Sequence, residues 1–259
     1  MKQEAQAGAL DAAIAAAGGM EAFQAALGVA RRTVFLWKQQ GVPAERVPEI
    51  EAATGVPRHK LRPDLWAPPG AMTDPMREGR ANLYALLGHL LSDVPAPGVL
   101  ARLAALPADD TPLGSALGAL SAAARAAKPE ALEREYHALF IGLGRGELLP
   151  FASYYLTGFL HERPLAELRA DLGRLGIARA ESVYEPEDHI AFLCETMAGL
   201  LRGGAPEEAE RLFERHLRPW AGRFFADLCV AENAVFYRAV GGLGRALMDV
   251  ELAAAELPA

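Results

Sequence analysis

Residues 83–91 have the sequence LYALLGHLL, in which five leucines recur at intervals of three and four residues. This spacing places them on one face of an α-helix, as in a helix that packs against a core. The stretch is far shorter than the roughly 18 apolar residues of a membrane span, and His89 interrupts it. Comparable stripes follow at 132–143 and 190–201. We therefore predict a soluble protein built from buried helices, the first of which buries Leu83, Leu86, Leu87, Leu90 and Leu91.

The composition of the whole chain favours the same fold class. The 259 residues include 52 Ala and 37 Leu but only 12 Val, 5 Ile and 6 Thr, a balance that favours helices over sheets. We predict an all-α fold. The two cysteines, Cys194 and Cys229, form no disulfide framework or metal motif, and no secretory signal precedes the first helix, so we expect a cytoplasmic protein.

Proline and glycine divide the chain near residue 70. The sequence Ala67-Pro68-Pro69-Gly70-Ala71 can neither extend a helix nor pair in a sheet. We therefore predict a small domain over 1–66, a linker over 67–74 and a larger domain over 75–259. The net charge of −7 divides into +1 before the linker, from 8 basic and 7 acidic residues, and −8 after it. The acidity belongs to the larger domain.

The small domain contains a helix-turn-helix pattern. Two short helical segments are separated by Gly28, and Arg31 and Arg32 begin the second. Basic side chains at that position are placed to meet phosphates or guanine edges in a DNA major groove. The apolar residues that tie the two helices together are Leu27, Val29, Val34 and Trp37.

The small domain resembles the Cro-like repressors of the YdaS type. The resemblance implies DNA binding as a dimer, with Arg31 and Arg32 as contacts. Two residues depart from the pattern: Gln24 replaces a small residue and Phe35 replaces a polar base reader. The alternative is a dimerisation or docking module whose arginines are solvated. The resemblance is carried by Ala17-Gly18-Gly19, Leu27-Gly28-Val29, Trp37, Gly41-Val42-Pro43, Ile50-Glu51, Thr54-Gly55, Leu61-Arg62-Pro63-Asp64 and Trp66.

The larger domain lacks recognisable catalytic motifs. The glycines of Gly142-Leu143-Gly144-Arg145-Gly146 are not followed by the Lys-Ser/Thr of a phosphate-binding loop, and they indicate a turn. No HExxH or GxSxG occurs, and the six histidines are scattered singly. We predict that the protein is not an enzyme and holds no metal or cofactor.

The most polar segment is Glu185-Pro186-Glu187-Asp188-His189. One interpretation is an ordinary helix start, with Pro186 at the first helical position and carboxylates in the first turn. The other is a binding surface, since Asp188 and Phe192 would be neighbours on one helical face. Carboxylates beside apolar side chains suit a peptide that is both basic and hydrophobic.

The larger domain also resembles the TorD/DmsD family of cytoplasmic chaperones over most of 75–250. The resemblance implies binding of the twin-arginine signal peptide of a molybdenum-cofactor oxidoreductase, and help with maturation of that apo-enzyme before export. Its carriers are Glu135-Tyr136, Leu139-Phe140, Gly142, Gly144, Pro150, Ser153-Tyr154-Tyr155, Glu185-Pro186-Glu187-Asp188-His189, His216-Leu217-Arg218-Pro219-Trp220, Arg223-Phe224-Phe225 and Phe236-Tyr237-Arg238-Ala239.

The resemblance also implies a peptide site. For the aromatic and leucine residues of this site the alternative is core packing, because a stripe of apolar residues at helical spacing is usually buried. A second hypothesis for the whole chain is a transcriptional regulator in which the larger domain senses free signal peptide and changes the DNA affinity of the small one. The implied peptide-binding residues are Tyr136, Leu139, Phe140, Glu185, Pro186, Asp188 and His189.

Overall fold

The computed structural model describes residues 2–66, 74–142, 144–180 and 184–255. Within these ranges the regular elements are helices, and extended backbone pairs only at an isolated antiparallel bridge between Phe151 and His189. The all-α prediction is confirmed. The predicted linker at 67–74 lies outside the described residues except for Asp74, so the domain boundary stays a prediction.

Short helices occupy residues 2–66. Between α2 (Met20–Leu27) and α3 (Arg31–Gln40), Gly28 adopts a left-handed conformation (φ 63°) that ends α2 and turns the chain into the next helix. Leu27 lies on one side of this turn and Val34 on the other, and both contribute to one apolar core, as the helix-turn-helix pattern predicts. The helices are α1 (Lys2–Ala16), α2 (Met20–Leu27), α3 (Arg31–Gln40), α4 (Val47–Thr54) and α5 (Arg58–Leu61), with a 3₁₀ turn at Ala44–Arg46.

Longer helices and two π-helical turns follow in the rest of the chain. The π-helical turns, His137–Ile141 and Phe213–Leu217, each extend a preceding α-helix. The α-helices are α6 (Pro75–Ser92), α7 (Pro97–Leu103), α8 (Pro112–Ala126), α9 (Pro129–Tyr136), α10 (Ala152–Thr157), α11 (Arg163–Leu175), α12 (Ile190–Arg202), α13 (Pro206–Leu212), α14 (Ala221–Val230) and α15 (Phe236–Ala255).

The chain folds into two compact units. The first contains Met1–Glu78, Arg169–Tyr184 and Gly199–Ala209, and the second contains Gly79–Leu168, Glu185–Ala198 and Glu210–Ala259. The candidate peptide-binding residues all lie in the second unit, and the predicted DNA-binding arginines lie in the first.

In the second unit α15 packs mainly against α14 and α8, and α6 contributes buried leucines to the core. The leucine stripe of α6 is buried at Leu87, Leu90 and Leu91 as predicted, whereas Leu83 and Leu86 are only half-buried. Helices α14 and α15 pack closely because Gly244 leaves room for a ring: a Cβ at that position would lie 2.1 Å from Cδ1 of Phe225.

Candidate functional site

The segment 185–189 forms a turn and not the beginning of a helix. Helix α12 begins at Ile190, so the interpretation of Pro186 as its first helical residue is wrong, and so is the placement of Asp188 on its face. His189 caps the helix instead. Its backbone oxygen accepts from the N–H of Leu193 at 3.1 Å, and its ring Nδ1 accepts from the N–H of Ala191 at 3.1 Å.

The carboxylate of Asp188 is turned inward. Only 1% of Asp188 is exposed, and its Oδ2 accepts a hydrogen bond from the backbone N–H of Ser153 at 2.9 Å. Its backbone oxygen accepts from the N–H of Ala152 at 3.0 Å. Asp188 thereby satisfies two N–H groups at the start of α10, which a helix leaves without internal partners. The side chain of Asp188 thus caps α10, and its part in peptide binding stays a prediction.

His189 is buried beside Asp188. Its ring meets Phe151 edge-on, with the ring centroids 5.0 Å apart. Burial lowers the pKa of His189 to about 4, so the imidazole is neutral at pH 7. The neutral form agrees with the hydrogen bond from Ala191, because a ring nitrogen accepts only when it carries no proton.

The stripe on α9 and the following π-helical turn divides between core and surface. Leu139 is fully buried, which agrees with core packing, whereas Tyr136 and Phe140 are half-buried. Their ring centroids lie 5.1 Å apart, and Tyr237 of α15 contacts both rings, at 5.7 Å and 5.3 Å. Leu143, the last member of the predicted stripe, lies outside the described residues.

Two exposed carboxylates, those of Asp93 and Glu185, lie near the phenol of Tyr136. Burial, together with the negative charges of these two carboxylates, raises the pKa of Tyr136 to about 12. We call Asp93, Tyr136, Phe140, Glu185 and Tyr237 the acidic aromatic patch. It joins residues from four separate stretches of the chain.

Sequence reasoning missed Asp93 and Tyr237 as members of this patch. A signal for Asp93 exists in the sequence. It follows the last turn of α6, where the negative end of the helix dipole disfavours a carboxylate. Tyr237 belongs to a segment that carries the family resemblance, but only the packing of α15 brings it into contact with Tyr136.

Glu135 fixes the position of Tyr237. Its carboxylate accepts hydrogen bonds from three consecutive backbone N–H groups, those of Val235, Phe236 and Tyr237, at 2.7, 3.1 and 2.7 Å. These groups begin α15 and have no acceptor within their own helix. Glu135 therefore joins α9 to α15 immediately beside the patch.

The predicted DNA-binding residues lie on an exposed face of α3. Arg31 and Arg32 are both exposed, as are Phe35 and Leu36, which follow one turn later. The guanidinium of Arg31 lies 6.0 Å from the ring centroid of Phe35. The opposite face of the helix, with Val34 and Trp37, is buried in the core.

Two further observations concern the described ranges as a whole. They contain no cluster of three or more His, Cys, Asp or Glu residues placed to hold a metal ion. None of their helices combines the length and the apolar character needed to cross a membrane.

Comparison with known families gives two matches in separate parts of the chain. The family described as "Nitrate reductase delta subunit" matches residues 106–226. The family described as "Bacterial toxin YdaS" matches residues 10–69. The second match covers the predicted helix-turn-helix pattern in full.

Individual relatives match about half of the chain. Chaperone protein TorD of Aliivibrio fischeri is 29% identical over 126 residues, which are 43% of this chain and 58% of the relative. Tat proofreading chaperone DmsD of Salmonella typhi is 31% identical over 132 residues, which are 50% of this chain and 65% of the relative. The chain thus spans about three fifths of the length of these relatives.

A solved structure from Archaeoglobus fulgidus, of a protein assigned to redox enzyme maturation, matches with a TM-score of 0.47 and 21% identity. The match covers 66% of this chain and 93% of that one. The family and sequence matches confirm both resemblances seen in the motifs: residues 10–69 match the YdaS family, and the chain is similar in part to the TorD and DmsD chaperones.

Proposed function

We propose that the protein is a cytoplasmic chaperone that binds the twin-arginine signal peptide of a molybdenum-cofactor oxidoreductase and holds it until the enzyme is mature for export. The names of the relatives support this role. The observation that carries it is the acidic aromatic patch, in which the exposed carboxylates of Asp93 and Glu185 lie near the half-buried Tyr136, whose ring contacts that of Phe140.

The patch offers both kinds of contact that such a peptide needs. An exposed carboxylate contributes only about 0–1 kcal/mol to a pair with arginine, so charge mainly sets specificity and association rate. Covering about 100 Å² of apolar surface contributes about 2.5 kcal/mol. We therefore assign most of the affinity to Tyr136 and Phe140, and the selection of arginine to Asp93 and Glu185.

Asp188 and His189 act as positioning residues in this proposal. Both are buried and accept hydrogen bonds from backbone groups of α10 and α12, so we assign them a structural role. They instead fix the turn that carries Glu185 and Pro186 at the surface. Leu139 supports the patch from beneath as a core residue.

Calorimetry with a synthetic peptide tests the proposal. The peptide is the twin-arginine segment of the molybdenum oxidoreductase encoded nearest to the gene, with a twin-lysine version and a version whose apolar run is replaced by serine as controls. We expect the twin-arginine peptide to bind most tightly and the serine version to lose the most affinity. Equal binding of all three peptides, or of none, would contradict the proposal.

The exposed face of α3 supports a second function, DNA binding by residues 1–66 as a dimer, with Arg31 and Arg32 as contacts. In this case the larger domain senses free signal peptide, and capture of the peptide changes the affinity of residues 1–66 for DNA. A mobility-shift assay on the protein's own promoter, with and without peptide, tests it. Unchanged DNA binding in the Arg31→Ala/Arg32→Ala variant would contradict the assigned contacts.

A further inference from the structure

We infer that α3 recognises a thymine beside a guanine in the DNA major groove, with Phe35 on the thymine methyl group and Arg31 on the guanine edge. The inference rests on the second function proposed above, DNA binding by residues 1–66. It extends that function from a general affinity for DNA to a defined pair of bases.

The starting observation is an apolar pair on the outer face of α3. Phe35 is 49% exposed and Leu36 is 42% exposed, while Val34 before them and Trp37 after them are buried in the core. Packing within the bundle therefore does not account for Phe35. Of the basic side chains on this helix, Lys38 is engaged with Asp11, so the outer face consists chiefly of Arg31, Arg32, Phe35 and Leu36.

This apolar surface has a specific counterpart in DNA. The second helix of a helix-turn-helix lies in the major groove with its N-terminal half against the base edges. Phe35 lies in that half of α3, at the fifth of ten positions. The C5 methyl group of thymine is an apolar feature of that groove, and apolar side chains contact it. An exposed phenylalanine at this position thus favours thymine over cytosine.

The position of Arg31 defines the neighbouring base. Residues four apart on a helix have Cβ atoms about 5–6 Å apart, and stacked base pairs are about 3.4 Å apart. Arg31 and Phe35 therefore reach the same or adjacent base pairs. The guanidinium of Arg31 lies 6.0 Å from the ring centroid of Phe35. The cation–π attraction between them holds Arg31 beside Phe35. Arginine donates hydrogen bonds to O6 and N7 of guanine. Together with the contact of Phe35 to thymine, this selects a thymine next to a guanine.

The small net charge of residues 1–66 agrees with recognition through bases. With 8 basic and 7 acidic residues, this region carries a net charge of only +1. Neutralisation of phosphates supplies most non-specific affinity for DNA and scales with the number of contacts. A domain with so little excess charge depends more strongly on contacts to base edges for tight binding.

The test uses the full-length protein and DNA in which single atoms are changed. A binding site is first selected from a random double-stranded pool. Each thymine is then replaced by deoxyuridine, which lacks the methyl group, and each guanine by 7-deazaguanine, which lacks N7. Affinity is measured by fluorescence anisotropy. We expect one deoxyuridine position per half-site to weaken binding about 3- to 10-fold, next to a guanine whose N7 is also required.

Variants assign the two contacts. In Phe35→Ala, replacement of thymine by deoxyuridine should no longer weaken binding. In Arg31→Ala, replacement of guanine by 7-deazaguanine should no longer weaken binding. Leu36→Ala is the matched control, since it truncates an exposed apolar side chain on the same helix and should leave both responses in place. The base replacements are measured on the unaltered protein as well, so the result does not depend on the folding of any variant.

The outcomes separate this inference from the function on which it rests. If the pool yields no bound sequence, DNA binding itself is refuted. If the protein selects a site but binds thymine and deoxyuridine equally well, DNA binding stands and methyl recognition is overturned. A deoxyuridine response that persists in Phe35→Ala would also overturn the assignment of Phe35.

Discussion

The carboxylate of Asp188 accepts a hydrogen bond from the backbone N–H of Ser153, 2.9 Å away and 35 residues earlier in the chain. Through this bond the turn before α12 caps the first turn of α10. The same turn presents Glu185 at the surface near Tyr136. The most polar motif of the sequence thus divides into a buried half that holds two helices and an exposed half that can meet a ligand.

Replacing Asp188 should destabilise the fold. Asp188→Ala removes the acceptor of a buried backbone N–H, so we expect the free energy of unfolding to fall by about 1–2 kcal/mol, measured by urea denaturation. Ser153→Ala is the matched control. The Ser153 hydroxyl is buried without a hydrogen-bond partner in the described part of the chain, so its removal should leave stability unchanged or slightly higher. A wild-type stability for Asp188→Ala combined with lost peptide binding would instead place Asp188 in direct contact with the peptide.

Stability should fall in mild acid because of His189. Burial holds its pKa at about 4, below the ordinary value of 6.5. The neutral ring is thus favoured in the folded state. The contribution of His189 to the free energy of unfolding is fully present above pH 6.5 and is lost as the pH falls from 6.5 towards 4. The loss is on the order of 3 kcal/mol. Urea midpoints across this pH range measure it.

His189→Asn provides the comparison, since its side-chain oxygen can still accept from Ala191 but does not titrate. We expect the pH dependence of this variant to be flatter than that of the wild type. His137→Gln is the control, because His137 is exposed. A profile for His189→Asn as steep as that of the wild type would show that another group causes the acid sensitivity.

The outcome at 185–189 shows what the sequence predicts well and what it does not. Leucine spacing located α6 because burial of a helical stripe depends on local periodicity alone. Proline followed by carboxylates also indicated a helix start, yet α12 begins only at Ile190. Contacts with Pro150, Phe151 and Ser153 determine the conformation of this turn, and no local pattern encodes contacts across more than 30 residues. The same reason hid Tyr237 from the predicted site.

The two halves of the acidic aromatic patch should respond differently to substitution. Phe140→Ala should weaken binding of the twin-arginine peptide by about 1–3 kcal/mol at any salt concentration, because it removes apolar contact area. Asp93→Asn and Glu185→Gln should each cost about 0–1 kcal/mol and mainly slow association at low salt. Stopped-flow fluorescence at two ionic strengths separates these effects. A large, salt-independent loss for Glu185→Gln would place its carboxylate in a buried pair with the peptide.

The ion pair between α6 and α15 should be sensitive to removal of one partner. Arg80 donates two hydrogen bonds to Glu251, at 2.8 and 2.6 Å, and the Glu251 side chain is only 3% exposed. Arg80→Ala strands a buried carboxylate and should cost about 3 kcal/mol in thermal or urea unfolding. The double variant Arg80→Met/Glu251→Leu should recover most of this loss. Arg163→Ala, which breaks an exposed pair with Glu167, should leave the urea midpoint nearly unchanged.

Glu135 offers a test of whether the start of α15 supports the patch. Glu135→Ala removes the acceptor of three N–H groups, so we expect faster hydrogen exchange at Val235, Phe236 and Tyr237 and a loss of about 2 kcal/mol in stability. Because Tyr237 contacts the rings of both Tyr136 and Phe140, peptide affinity should fall as well.

The control for this variant is Glu133→Ala, which removes an exposed carboxylate from the same helix and should alter neither exchange nor affinity. Exchange and affinity are expected to change together in Glu135→Ala, because both depend on the position of Tyr237. Faster exchange with unchanged peptide affinity would mean that the peptide does not use the ring cluster. The binding site would then have to lie away from Tyr136 and Phe140.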